Sequence, residues 1–188
     1  MKQSKIKRVG VFCGANTGSD RSYAQAASEL GQQLAANGIE LVYGGTSIGL
    51  MGIVANAALA GGGRVIGVLP HSLQDREVAH TGLSELHIVK TMHERKALMT
   101  ELSDGFIALP GGIGTLEEFF EVWTGAYLQH HSKPCSILNV NGFYDGLISF
   151  LDHLLATQFL KAKTRAMLLV DSDPAALIEQ ICNSPPRE

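Results

Sequence analysis

The stretch Gly105-Phe106-Ile107-Ala108-Leu109-Pro110-Gly111-Gly112-Ile113-Gly114-Thr115-Leu116-Glu117-Glu118 passes from an apolar run, through a glycine-rich turn, into a segment with helical periodicity. Apolar residues on both sides of the pleat suit a strand buried on both faces, the pattern of a parallel sheet covered by helices. Working outward, short aliphatic or β-branched runs recur at Val9 to Cys13, Ile39 to Tyr43, Arg64 to Leu69, Leu86 to Val89, Cys135 to Val140 and Met167 to Val170. Helical periodicity occupies Tyr23 to Ala36, Leu50 to Ala60, His93 to Leu102, Leu116 to Leu128 and Tyr144 to Thr157 between most of them. This alternation predicts a doubly wound α/β fold of Rossmann-like type, a mostly parallel sheet with helices on both faces.

Residues 1–183 read as a single nucleotide-binding α/β domain, and Ser184 to Glu188, with two prolines, as a frayed tail. No internal repeat or linker interrupts the chain. Its 188 residues, 45% of them hydrophobic and 18% charged, suit a sizeable core rather than disorder. A formal net charge of −3 and a pI near 6.2 argue against a nucleic-acid or anionic-membrane surface, either of which needs clustered Lys and Arg. No apolar run approaches a membrane span, and Val9 to Cys13 is too short for a signal-peptide core, so the cytoplasm is the expected location. Cys13, Cys135 and Cys182 are widely spaced and lie in or beside apolar stretches, as reduced thiols do. The seven histidines show no H-x-x-x-H spacing and no C-x-x-C occurs, so no metal site is expected.

In a doubly wound sheet, ligands gather where strands end and helices begin. Glycines cluster there after the first strand (Gly14, Gly18), the second (Gly44, Gly45, Gly49, Gly52) and the fifth (Gly111, Gly112, Gly114). The triplet Gly61 to Gly63 follows a helix instead and reads as a helix stop. Between strand and helix, Gly111, Gly112, Ile113, Gly114 and Thr115 have the form of a phosphate cradle, in which backbone N–H groups turn toward an anion at the positive end of the helix dipole. A tight turn with Thr115 as N-cap is the plainer alternative. Neither G-x-x-x-x-G-K-[ST] nor G-x-G-x-x-G occurs, so a monophosphate fits better than a triphosphate or a dinucleotide.

Glu117 and Glu118 open the helix after the cradle. Thr115-x-x-Glu118 has the spacing of a capping box, with Glu117 complementing the dipole. Equally, a carboxylate beside a phosphate is unfavourable unless it serves a sugar hydroxyl, a water or a developing cation. Upstream, Met92-His93-Glu94-Arg95-Lys96 begins another helix at the same sheet edge. Arg95 and Lys96 lie near its start, against the dipole preference, which an anionic ligand would explain; a solvated face with Glu94 and Glu101 as partners is the alternative.

Met92-His93-Glu94-Arg95-Lys96 and Pro110 to Glu118 resemble the M-H-x-R-K and P-G-G-x-G-T-x-x-E motifs of the Lonely Guy family, the cytokinin riboside 5′-monophosphate phosphoribohydrolases. The resemblance extends to Val11 to Gly14, to Tyr43-Gly44-Gly45 through Gly49 to Gly52, and to the segment Pro70 to Glu77. It implies a homodimeric hydrolase of cytokinin biosynthesis that releases the free base and ribose 5-phosphate from a nucleoside 5′-monophosphate, AMP or its N6-prenylated form, without a cofactor. It also implies Arg95 and Glu118 as the catalytic pair, and Gly111 to Thr115 as the phosphate site. Contacts to the rest of the substrate would come from Glu77, Met92, Lys96, Glu117, Thr124, Gly44 and Gly45. Thr46 stands where the family carries a third glycine, and its Cβ restricts the backbone of Gly44 to Ile48.

Two other readings use the same loop. One is a pyridoxal-phosphate-dependent lysine decarboxylase, a label carried by members of this family, for which Lys96 is the only lysine near the cradle. The other is a non-catalytic nucleotide or cofactor carrier.

Overall fold

The computed structural model describes residues 6–74 and 79–184. Seven strands, β1 (Arg8–Phe12), β2 (Glu40–Tyr43), β3 (Val65–Pro70), β4 (Glu85–Val89), β5 (Gly105–Ala108), β6 (Cys135–Leu138) and β7 (Leu168–Asp171), form one sheet in the order β4-β3-β2-β1-β5-β6-β7. Every pairing is parallel, in registers such as Leu41 with Val65 and Val11 with Ile107. The expected doubly wound architecture is therefore present, with a sheet parallel throughout.

Side-chain alternation along each strand builds the two cores. Val9, Val11, Leu41, Tyr43 and Ile107 face one side, where they pack with residues of α1 (Arg21–Ala36), α2 (Gly49–Ala60) and α8 (Pro174–Asn183). Phe12, Val42, Ile66, Phe106 and Ala108 face the other, against α4 (Met92–Leu102), α5 (Ile113–Tyr127) and α6 (Asp145–Ala156). Burial on both faces explains why β1, β2, β3, β5 and β6 read as nearly unbroken apolar runs, while the edge strand β4, which carries Glu85 and His87, and β7 are only partly buried. Gly61 ends α2 as its C-cap, as its helix-stop reading anticipates.

Among the described residues the sequence pattern missed a 3-10 turn at Val140–Gly142 and three α-helices: α3 (His71–Gln74) and α7 (Ala162–Arg165), each only four residues long, and α8. The last is opened by signals that periodicity alone overlooks. Asp173 caps it by accepting from the amides of Ala175 and Ala176, and Pro174 occupies the first turn. Within the tail, Ser184 is the C-cap of α8, and its hydroxyl donates to Gln180 O at 2.9 Å; residues 185–188 lie outside the described residues.

The chain winds outward from β1 to β4 and then returns to place β5 on the other side of β1. That reversal is the topological switch point, where an open α/β sheet forms a crevice beyond its strand ends. Leu109 N donates to Phe12 O at 2.9 Å and Gly14 N to Pro110 O at 3.0 Å, so the loops after β1 and β5 are joined across the crevice.

Candidate active site

The crevice opens into a cavity of about 540 Å³ lined on one side by Cys13 to Gly18 and on the other by Pro110 to Thr115. Arg95, Met92, Glu117 and Glu118 also line it, so the two motifs separated by the strand β5 converge on one space. Sequence reasoning missed Tyr23, Leu50, Met51 and Phe143 in this lining. Phe143 follows a turn in which Asn141 and Gly142 have φ of 48° and 69°, and it meets Tyr23 edge-on with ring centroids 5.4 Å apart. An Asn-Gly pair before an aromatic residue was the available signal, but it points to a turn and not to a ligand wall.

Helix α5 starts at Ile113 with Gly112 as N-cap and no side-chain cap. The predicted N-cap role of Thr115 is therefore corrected: it lies in the first turn, buried at 4% exposure, with its Oγ1 against Gly111. The capping box between Thr115 and Glu118 does not form, because Thr115 is already inside the helix. A capping motif occurs instead on α4, where Thr91 Oγ1 accepts from Glu94 N at 3.1 Å and Glu94 Oε2 accepts from Lys90 N at 2.7 Å. With no side chain covering them, the first amides of α5 are left for an anion.

The three cradle glycines divide by cause. A Cβ on Gly111 would overlap Thr115 Oγ1, so protein packing alone demands glycine there. At Gly112 and Gly114 a Cβ would meet nothing within 4 Å, so packing makes no such demand. Open space beside bare amides is what close approach of a ligand phosphate needs. Ile113 between them projects outward at 88% exposure.

Glu118 instead reaches Arg95. Arg95 Nη1 donates to Glu118 Oε1 at 2.6 Å, and Arg95 Nε donates to Val68 O at 3.1 Å. The two side chains are only 8% and 11% exposed. Such a charge-assisted bond holds the carboxylate on the cavity wall. Burial pushes the Glu118 carboxyl above the ordinary glutamate range, Arg95 opposes that rise, and Glu117 adds to it.

Lys96 does not line the cavity. Its ammonium binds Glu117 and, at 2.6 Å, Glu121, both on α5, and these hydrogen bonds raise its pKa further. The cations near the start of α4 are thus matched by carboxylates of α5, replacing the alternative that paired them with Glu94 and Glu101. Gly44 and Gly45 are buried at the end of β2, outside the cavity lining, while Thr124 lies in a separate groove of about 290 Å³ with Phe120 and Trp123. Glu77 lies outside the described residues.

Thr46 is accommodated without left-handed backbone, since Gly45 and Gly49, at φ of 78° and 59°, make the turns. Its carbonyl accepts from Tyr43 Oη at 3.1 Å, it forms an isolated bridge with Ala79, and its hydroxyl donates to Met51 Sδ at 3.5 Å. Among the described residues no group of three or more His, Cys, Asp or Glu side chains could hold a metal ion, and no helix is long and apolar enough to cross a membrane.

The fold and the cradle define a Rossmann-like protein with a candidate nucleotide-phosphate site at its switch point. Residues 51–181 match the family model described as "possible lysine decarboxylase". The chain is 50% identical to the cytokinin riboside 5′-monophosphate phosphoribohydrolase of Rhodococcoides fascians, over 93% of this chain and 89% of that one. It is 45% identical to an Arabidopsis thaliana protein of the same name, over 98% and 87% of the two chains. The chain belongs to the cytokinin riboside 5′-monophosphate phosphoribohydrolase family, the Lonely Guy family. Among solved structures, the molybdenum cofactor carrier protein of Chlamydomonas reinhardtii superposes with a TM-score of 0.73 at 22% identity, covering 95% of this chain and 99% of that one, which is a likeness of fold.

Proposed function

We propose that this protein hydrolyses the N-glycosidic bond of a nucleoside 5′-monophosphate, AMP or its N6-prenylated form, to the free base and ribose 5-phosphate. The observation that carries the reading is the buried Arg95–Glu118 pair on the wall of the cavity that holds the uncapped start of α5. The phosphate binds the amides of the loop and helix start from Gly111 to Thr115. Glu118 Oε1 is engaged by Arg95, and its Oε2 takes no hydrogen bond among the described residues, so it serves a ribose hydroxyl or the attacking water.

As the water oxygen bonds to C1′, the C1′–N bond breaks and its electron pair leaves with the base, which takes up a proton. Positive charge grows on the ribose ring, and the Glu118 carboxylate stabilises it and accepts the proton of the water. A guanidinium is a poor proton donor, so Arg95 instead fixes the position of Glu118 and compensates its charge. Met92 and Glu117 line the remaining wall beside the substrate.

The decarboxylase label of the family model needs a lysine that can become a neutral amine. Lys96 has the opposite environment, held between Glu117 and Glu121 with its pKa raised, and it is absent from the cavity lining. Product analysis after incubation with AMP and with isopentenyl-AMP tests the hydrolytic reading. Release of free base and ribose 5-phosphate supports it, and carbon dioxide from lysine would replace it.

The protein acts as a homodimer in the cytoplasm. Support for the dimer comes from Phe159, at 86% exposure, and the exposed Tyr127, which both line the groove that holds Thr124 and Trp123. Large apolar side chains gathered on one face mark an association surface. Cys13, Cys135 and Cys182 form no disulfide, in keeping with a reducing compartment.

A further inference from the structure

Gly44 ends the run that β2 begins, and it sits directly behind the Arg95 guanidinium. A Cβ built there would overlap Arg95 Nη2 and come within 2.9 Å of Met51 Sδ. The backbone does not itself require glycine, because Gly44 is absent from the residues with positive φ. Space and not conformation therefore keeps this position free of a side chain.

Three groups border that space, and they differ in how easily they move. Strand β2 is fixed by parallel pairing of Leu41 with Val65, Val42 with Ile66 and Tyr43 with Gly67. The Met51 thioether, which lines the substrate cavity, is tied on its far side by Thr46 Oγ1 at 3.5 Å. Arg95 Nη2 is the end of a long side chain held by Val68 O and Glu118 Oε1. An added methyl would displace the guanidinium first, and with it the geometry of Glu118.

We propose that Gly44 is a positioning residue for the catalytic pair: its missing side chain supplies the volume in which Arg95 can bind Val68 O and Glu118 together. Thr46, through Met51, closes the other side of that volume. Gly44 thus acts through Arg95 and touches no substrate. The proposal rests on the hydrolytic reading above, in which Arg95 positions Glu118.

The test is a double-mutant cycle of Gly44→Ala and Arg95→Lys, following AMP hydrolysis and thermal unfolding of the full chain. Gly44→Ala is expected to lower kcat by about 10- to 100-fold with KM for AMP within about threefold, the split of a group that acts in the transition state. In the Arg95→Lys background, where Nη2 is gone, the same substitution should cost less than about threefold. Near-normal kcat in Gly44→Ala, or equal losses in both backgrounds, overturns the proposal. The melting temperatures form a second cycle that needs no activity. Gly44→Ala should lower Tm in the wild-type background and spare it in Arg95→Lys, even if the single variant accumulates poorly; equal lowering in both contradicts the assignment. A wild-type protein inactive on both AMP and isopentenyl-AMP would defeat the hydrolytic reading instead, and the Tm cycle would still test where Gly44 places Arg95.

Discussion

Arg95 Nη1 and Glu118 Oε1 lie 2.6 Å apart, joining the first turn of α4 to the second turn of α5, two helices that stand before and after the same strand, β5. The contact takes both side chains out of solvent, so each depends on the other. Removing one partner of a buried ion pair typically costs about 3–5 kcal/mol, because the remaining charge is left without compensation. The chemistry of the pair and the stability of this sheet edge are therefore coupled, so a change in either residue acts on both turnover and unfolding.

The pH dependence of turnover should report Glu118. Burial holds its carboxyl above the ordinary glutamate range, and the reaction needs the ionised form, so kcat should fall on the acid side at a pH higher than an exposed glutamate would give. Glu117 contributes to that rise; its replacement by Gln removes a negative neighbour and should move the acid limb to lower pH, with the plateau changed by less than about threefold. A pH–rate profile of Glu117→Gln with the limb unmoved, or moved upward, would remove Glu118 as the titrating group.

Gly111 and Gly114 should respond to alanine in opposite ways. Gly111→Ala drives a methyl into Thr115 and should destabilise the fold by about 1–3 kcal/mol, as overpacking does. Gly114→Ala meets no protein atom within 4 Å and sits in a helix, where Ala is favoured by about 0.5–1 kcal/mol. Its melting temperature should hold or rise while KM for AMP increases by about tenfold, the effect of crowding the phosphate. Thermal unfolding beside steady-state kinetics checks both halves, and unchanged KM in Gly114→Ala would move the phosphate elsewhere.

Lys96 should form no Schiff base. Adding pyridoxal phosphate to the purified protein should give no stoichiometric visible absorbance band that is lost in Lys96→Arg, because two carboxylates keep the amine protonated. Such a band would revive the decarboxylase reading.

Phe159→Asp should shift the protein from dimer to monomer in sedimentation equilibrium, since it places a charge on the most exposed side chain of the proposed association face. A wild-type protein that sediments as a monomer would contradict the proposed dimer.

Much of this molecule was legible in its sequence. All seven strands follow from apolar runs bounded by glycine or polar turns, most compactly for β1, β2, β3, β5 and β6, which are buried on both faces. The two motifs that meet at the cavity were also visible, with Arg95 and Glu118 on either side of β5. What sequence could not resolve was direction. The spacing from Thr115 to Glu118 fits a capping box as well as it fits catalysis, and only the helix start at Ile113 removes the first. Lys96 looked available to an anion because the i, i+4 pair Glu117 and Glu121 belongs to another helix, and a contact between helices leaves no local pattern. Gly44 read as part of a ligand loop, whereas its neighbour in space, Arg95, lies more than fifty residues onward.

The most direct test of the central claim is release of adenine and ribose 5-phosphate from AMP by the wild type and by Glu118→Gln under identical conditions. Gln keeps the size and the acceptor oxygen facing Arg95 but carries no charge, so the hydrogen bond at 2.6 Å can persist while the cation loses its stabiliser. The account predicts equimolar base and ribose 5-phosphate from the wild type and a kcat lower by roughly 10²-fold or more in Glu118→Gln. Equal turnover by the two proteins, or no free base from either, would contradict it.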